Sequence, residues 1–279
     1  MNEIEQYEFD RQGYIITKGF LDAKEVAGLS RAIDALEEHA LAHVDEPPRK
    51  MTPLGGVDYH ANPELGYHVR GSSEEGDTLI IEDFWNATPA FDLLLNHGPT
   101  MAYINQIVQG RATINNSEVR IRYRGNATGV HMGGPLSGKH RYTFQAGRID
   151  CAMVRMVYFV QDVNDEQGSF CVVPGSHKSN FPPPYKLPPE EEPGMIGLEV
   201  EAGDVILFTE NLRHGGLPNQ SDQVRKTLHV GYGPPYLMSQ NIATMDEPQF
   251  ITDATRQRLD VAQRNLFRPF EEQVSAASG

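Results

Sequence analysis

The sequence predicts a mainly β fold with flanking helices, its strands rolled or closed so that distant segments meet. Three observations predict it. Residues 118–125 (EVRIRYRG) alternate apolar and polar side chains, the signature of a half-buried strand. Val205–Thr209 (VILFT) is a short apolar run of the kind that forms a buried strand. His131 follows a turn at residues 126–129 (NATG), and His214 follows the VILFT run, so both stand at strand ends. Histidines that far apart in sequence share a pocket only in a closed or rolled sheet. Two neutral imidazoles on one side of a pocket suit a borderline divalent metal such as Fe(II).

Composition narrows the class. The 279 residues, 39% hydrophobic, are enough for one large domain or two small ones. A formal net charge of −14 argues against a nucleic-acid polymer as partner, because that needs a basic face. It leaves room for a small anion held by local arginines. The two cysteines, Cys151 and Cys171, sit in apolar runs and are expected as buried free thiols. No apolar run approaches the roughly 20 residues that span a bilayer. The opening MNEIEQYEFD is acidic and lacks the apolar core of a signal peptide, so a soluble, cytoplasmic protein is expected.

Taken in order, residues 3–13 read as a short helix and 14–18 (YIITK) as a strand. Asp22 is placed to cap a helix over 23–43, with Glu25 at the capping-box position and Val26, Leu29, Ile33 and Leu36 at helical spacing. Residues 45–77, rich in Pro, Gly and charge, read as a long loop in which His60 and His68 are solvated unless they reach substrate. A strand over 78–86 (TLIIEDFWN) carries the only tryptophan, and helices follow over 89–97 and 100–109. Strands are then expected near 112–115, 118–124, 128–133, 151–161, 169–173, 197–201, 204–208, 212–217 and 226–232. The insert 134–149 carries the basic residues Lys139, His140, Arg141 and Arg148, as a solvated loop or as a cover that meets an anionic substrate. Alternation in the strand near 151–161 puts Arg155 on one face with Val157, Phe159 and Gln161. Residues 179–196 form a proline-stiffened loop, a spacer or partner surface. Residues 253–267 read as helical, with Leu259 and Leu266 packing inward, and 274–279 as disordered.

Several segments together carry a family resemblance. They are VPGSHK at 173–178, EAGDV at 201–205, HGGLPN at 214–219, Ser221-Asp222 followed by Arg225, and the N-terminal YEFDRQGY at 7–14 with Gly19-Phe20-Leu21. In this order they resemble the phytanoyl-CoA dioxygenase family of Fe(II)/2-oxoglutarate oxygenases. The resemblance implies a double-stranded β-helix (jelly-roll, cupin-like) core at about 112–233. A helical N-terminal part, 1–110, and a C-terminal helical segment, 234–279, would complete a single domain. It implies that the face carrying Arg155 points into the barrel, where a charge needs a partner: a structural acid, or a carboxylate or phosphate of cosubstrate or substrate.

The family pattern is His-x-Asp, a distal His, and an Arg eleven residues on. His131 and His214 match the two histidine ligands. Arg225, eleven residues past His214, matches the arginine that holds 2-oxoglutarate, and Thr227 shares its side of the strand. The position of the expected Asp is Gly133. An absent carboxylate leaves one coordination position open and one negative charge missing, and chloride would restore both. That arrangement resembles the Fe(II)/2-oxoglutarate halogenases. The resemblance thus implies Fe(II), 2-oxoglutarate, O2 and chloride, and an aliphatic C–H chlorinase; the arginines Arg122, Arg141, Arg148 and Arg155 would suit a carboxylate or phosphate on a small metabolite, such as a nucleotide or an amino-acid-like compound. Nothing indicates a carrier protein. Two alternatives stay open. One is a hydroxylase or oxidase in which water, or a carboxylate such as Asp150 or Glu210, fills the position of Gly133. The other is a binding protein without catalysis. His177, His229 and Asp204 are expected to be structural: a turn histidine, a satisfied core histidine and a turn former.

Overall fold

The computed structural model describes residues 1–51, 58–136, 138–245 and 251–270. The chain opens with α1 (Glu3–Gln12), which Asn2 and Glu5 cap reciprocally and Gly13, at φ 87°, terminates. After β1 (Tyr14–Thr17) comes α2 (Ala23–His43), with the predicted Asp22–Glu25 capping box. Four strands follow, β2 (Arg49–Met51), β3 (Asp58–Ala61), β4 (His68–Arg70) and β5 (Thr78–Glu82). Two 3-10 turns lead to α3 (Gly98–Ile107) and the long strand β6 (Thr113–Arg122). Next come β7 (Thr128–His131), β8 (Tyr142–Gln145), β9 (Arg148–Cys151), β10 (Val154–Phe159) and β11 (Phe170–Val172). The last strands are β12 (Ile196–Leu198), β13 (Val205–Thr209), β14 (His214–Gly216) and β15 (Arg225–Gly233), followed by α4 (Asp253–Arg258) and α5 (Val261–Arg264).

A nine-stranded sheet runs β1-β13-β10-β15-β6-β5-β4-β3-β2, and a four-stranded sheet β12-β11-β14-β7 packs on it, every pairing antiparallel. This is the expected double-stranded β-helix core. Period-two alternation sorts the large sheet into two faces. The outer face, with Val119, Ile121, Met156, Leu207, Leu228 and Val230, buries itself under α2 and α3 through Leu29, Ile33, Ile104 and Ile107. The inner face is apolar at one end, where Val157, Phe159, Ile206 and Phe208 meet Phe170, Val172 and Leu198 of the small sheet. At its other end the facing residues are charged or polar: Arg122 opposite Arg225, Arg120 opposite Thr227, and Glu118 opposite His229. The fold therefore positions a polar chamber between an apolar plug and the strands that carry His131 and His214.

Several expectations need correction. The loop at 45–77 contains β2, β3 and β4, which extend the large sheet through β5; residues 52–57 lie outside the described set. His60 and His68 are buried, not solvated. His60 Nδ1 meets the Glu46 carbonyl at 2.7 Å, and His68 Nδ1 meets the Asp83 carboxylate at 2.8 Å. The strands expected at 112–115 and 118–124 are one strand, with a register shift opposite Gly231/Tyr232. The helix expected over 89–97 is a 3-10 segment, Pro89–Leu94. The helix over 253–267 breaks at Leu259 and restarts on the Asp260 cap, although Leu259 and Leu266 are both buried as expected. The insert 134–149 contains most of the β8–β9 hairpin, tied to α1 by the Tyr142 hydroxyl donating to Asp10 at 2.7 Å. Residues 274–279 lie outside the described set. Cys151 and Cys171 are buried free thiols.

Candidate metal centre and cosubstrate chamber

β7 and β14 place His131 and His214 directly opposite each other, with ring centroids 4.1 Å apart and planes inclined by 58°. His214 is buried against Phe170 and Phe208, while His131 is exposed at the mouth. Each Nδ1 faces a backbone carbonyl two residues before it, Gly129 O at 2.9 Å for His131 and Leu212 O at 2.6 Å for His214. A carbonyl only accepts, so both Nδ1 atoms carry the proton and both Nε2 lone pairs are free to bind a metal. Desolvation holds both imidazoles below the usual histidine range. The cations Arg155 and Arg120 push them down further, and His131 adds to the effect on His214. The pair is thus held neutral, the state in which an imidazole binds a metal.

At Gly133 the chain leaves the strand through three consecutive residues with positive φ: Met132 at 63°, Gly133 at 86° and Gly134 at 62°. The Gly133 amide donates to Asn211 O at 2.9 Å. A Cβ on Gly133 would stand 2.7 Å from Cβ of Arg213. Arg213 is itself fixed, paired with the buried Glu192 and donating to Met132 O at 3.0 Å. Glycine is therefore required at 133 by backbone conformation and by space. Glu192 belongs to the proline-rich segment 179–196, which braces this loop. A cavity of about 280 Å³ opens beside it, lined by Met132, Gly133, Leu136, His140 and Asn211.

The acids that would replace the missing carboxylate are engaged. Asp150 accepts from Arg141 at 2.7 Å on the hairpin. Glu210 takes a forked contact from Arg155, 2.8 Å to Nε and 3.3 Å to Nη2. Among the described residues no group of three or more His, Cys, Asp or Glu is arranged to hold a metal. Arg155 thus has the structural acid that its burial demands, with Glu118 a further 3.8 Å contact. In the basic insert Arg141 is neutralised by Asp150 and His140 faces the cavity.

Arg225 lies deep in the chamber, one guanidinium nitrogen donating to Gly168 O and Nε without a partner. Burial, reinforced by Arg120, pushes its pKa down to about 10. Thr227 shares this face, its hydroxyl 3.0 Å from His229 Nε2, so His229 is a satisfied interior histidine. His177 is structural, with Nε2 3.1 Å from Asp10 O. Asp204 accepts the Gly19 and Glu201 amides in its turn. Sequence reasoning did not single out Arg120 and Glu118, which pair on the chamber face of β6. The signal was present in the alternation of EVRIRYRG; what the sequence lacks is which face turns inward.

The phytanoyl-CoA dioxygenase (PhyH) family profile matches residues 9–227. The chain belongs to the phytanoyl-CoA dioxygenase family. The family's namesake is a dioxygenase, and the family is one of non-haem Fe(II)/2-oxoglutarate-dependent oxygenases. Dioxygenase aneA of Aspergillus aculeatus is 34% identical over 91 residues, covering 32% of this chain and only 30% of that protein's length. HygX of Streptomyces hygroscopicus, solved with nickel and 2-oxoglutarate bound, superposes with a TM-score of 0.68 at 20% identity, over 86% of this chain and 89% of that one. The epimerase SnoN, in complex with Fe3+, alpha-ketoglutarate and nogalamycin RO, gives 0.55 at 20% identity, over 83% and 82%. At these identities the likeness is one of fold. No helix among the described residues is long and apolar enough to cross a membrane.

Proposed function

We propose that the chain is an Fe(II)/2-oxoglutarate-dependent aliphatic C–H halogenase acting on a small, anionic metabolite. The observation that carries this reading is Gly133, which offers no ligand atom where the family carries a carboxylate and is sterically built as glycine. The donor set fits the cofactors. Two Nε2 atoms freed by carbonyl-bound Nδ1 atoms suit a divalent iron, and the buried Arg225 guanidinium suits a carboxylate. When bound, iron and 2-oxoglutarate would supply, with O2, the oxidation that replaces C–H by C–Cl, consuming chloride and a proton and giving succinate, CO2 and water. The chain's own part is positional. His131 and His214 fix one side of the metal, and Arg225, with Thr227 beside it, orients the cosubstrate. Phe170 and Phe208 pack on His214 and keep water from one flank of the histidine pair.

The test is product mass. A panel of anionic small molecules is turned over in chloride and again in bromide. The reading expects products in which one hydrogen has become chlorine or bromine according to the salt. Products carrying only added oxygen at every halide concentration contradict it.

One observation favours a second reading. The Glu210 charge reaches His131, so a Glu210 released from Arg155 would serve as the missing carboxylate of a hydroxylase. E210Q then loses iron affinity; in the halogenase reading it keeps it.

A further inference from the structure

Of the four arginines on the chamber face, two are neutralised: Arg120 by Glu118, and Arg155 by Glu210. Arg122 is not. It is 4% exposed, and among the described residues its Nε and Nη1 have no hydrogen-bond partner. It stands directly across the β6–β15 ladder from Arg225, whose Nε is also without a partner. Burial lowers both guanidinium groups below the usual arginine range, and the Arg225 charge lowers Arg122 further. A folded chain keeps such a pair where an anion with two acceptor atoms completes it. Gly216, on β14 of the facing sheet, makes room for the Arg122 guanidinium: a Cβ there would lie 2.6 Å from Nη1. Both residues lie on the inward face shared with Thr227.

We propose that Arg122 and Arg225 form a two-guanidinium clamp for the distal carboxylate of 2-oxoglutarate, so that Arg122 sets the preference for a dicarboxylic 2-oxo acid. The inference rests on the cosubstrate assignment above and holds whether the product is chlorinated or hydroxylated. Each carboxylate oxygen takes N–H donors from a different guanidinium, and the repulsion between the cations becomes attraction to the ligand. Arg122 is a specificity-determining residue that a search for the spacing between His214 and Arg225 does not find.

Calorimetry on the Ni(II)-loaded protein tests this without turnover. The ligands are 2-oxoglutarate and 2-oxopentanoate, which has the same chelating head and a methyl group in place of the distal carboxylate. R122Q is expected to weaken 2-oxoglutarate by about 10- to 100-fold and to leave 2-oxopentanoate within about threefold. R122K, which keeps the charge but loses the fork, falls between. The ligand-free R122Q protein should melt no lower than the parent, because a repulsive pair has been relieved. Equal weakening of both ligands with a lower melting temperature makes Arg122 a structural residue and overturns the clamp, as does no weakening of either. A parent protein that binds Ni(II) but not 2-oxoglutarate overturns the cosubstrate assignment as well, an outcome distinct from binding that is insensitive to R122Q.

Discussion

His131 and His214 are direct partners across the β7–β14 ladder, and each turns its Nδ1 onto the carbonyl two residues earlier in its own chain segment. Register and tautomer are thereby fixed before any metal arrives. Preorganisation of this kind is what partners of metal-bound histidine usually provide from a second layer of residues. Here the backbone does it.

H131A and H214A are each expected to weaken Ni(II) binding by at least about a hundredfold while the far-ultraviolet circular dichroism is kept. Their stabilities should differ. His131 is exposed and its loss should cost under about 0.5 kcal/mol. His214 is buried between Phe170 and Phe208, and its loss should cost about 2 kcal/mol. Urea unfolding reads both.

Any side chain at position 133 meets two penalties. G133A forces a left-handed conformation on an L-residue, about 1–2 kcal/mol, and drives its Cβ into Arg213. G133A should therefore destabilise in urea by about 2 kcal/mol or more, and R213A in the same chain should not restore it, because alanine keeps the Cβ of the closest contact and leaves the buried Glu192 unpaired. G133D carries the same strain, so its chemistry is to be compared with G133A and not with the parent alone. A neutral G133A contradicts the account of this loop.

Arg155 and Glu210 are both buried and joined by a fork. E210A leaves a buried guanidinium with only Glu118 nearby, and is expected to cost about 3–5 kcal/mol. The double variant R155M/E210L should recover most of that loss. Equal losses in the single and double variants would show that packing, not charge, holds this corner together.

The acid limb of the stability curve should carry a His177 signature. Its ring is fully buried, and burial, with Lys178 second, lowers its pKa to about 4. The folded value lies below the ordinary one near 6.5, so the unfolded chain binds the extra proton between them. The neutral ring's stabilisation is complete above about pH 6.5 and is lost as pH falls towards 4, by about 3 kcal/mol in all. H177Q, compared with the parent by unfolding at a series of pH values, should flatten that part of the curve.

The sequence made the core legible where one face of a strand is apolar. EVRIRYRG and VILFT read correctly because Val119, Ile121, Val205 and Leu207 bury against helices. The Asp22–Glu25 box read correctly because caps act locally. Strands β2 to β4 were hidden because each is only three or four residues long and takes its ladder bonds in succession outward from β5, β4 on β5, β3 on β4 and β2 on β3. Asn115-Asn116-Ser117 hid the continuity of β6, since polar residues inside a strand look like a break until the bulge opposite Gly231 is seen. His131, His214 and Arg225 were visible through their spacing. The burial of His60 and His68, the tie between Arg155 and Glu210, and the unpaired state of Arg122 are three-dimensional facts that spacing does not carry.

The most direct test of the central claim is an anaerobic crystal of the protein with Fe(II), 2-oxoglutarate and bromide, with data collected at the bromine edge. The account predicts an anomalous peak bonded to an iron that His131 and His214 hold, on the side of the missing carboxylate. Water or the Glu210 carboxylate at that position, with no bromide, would contradict it.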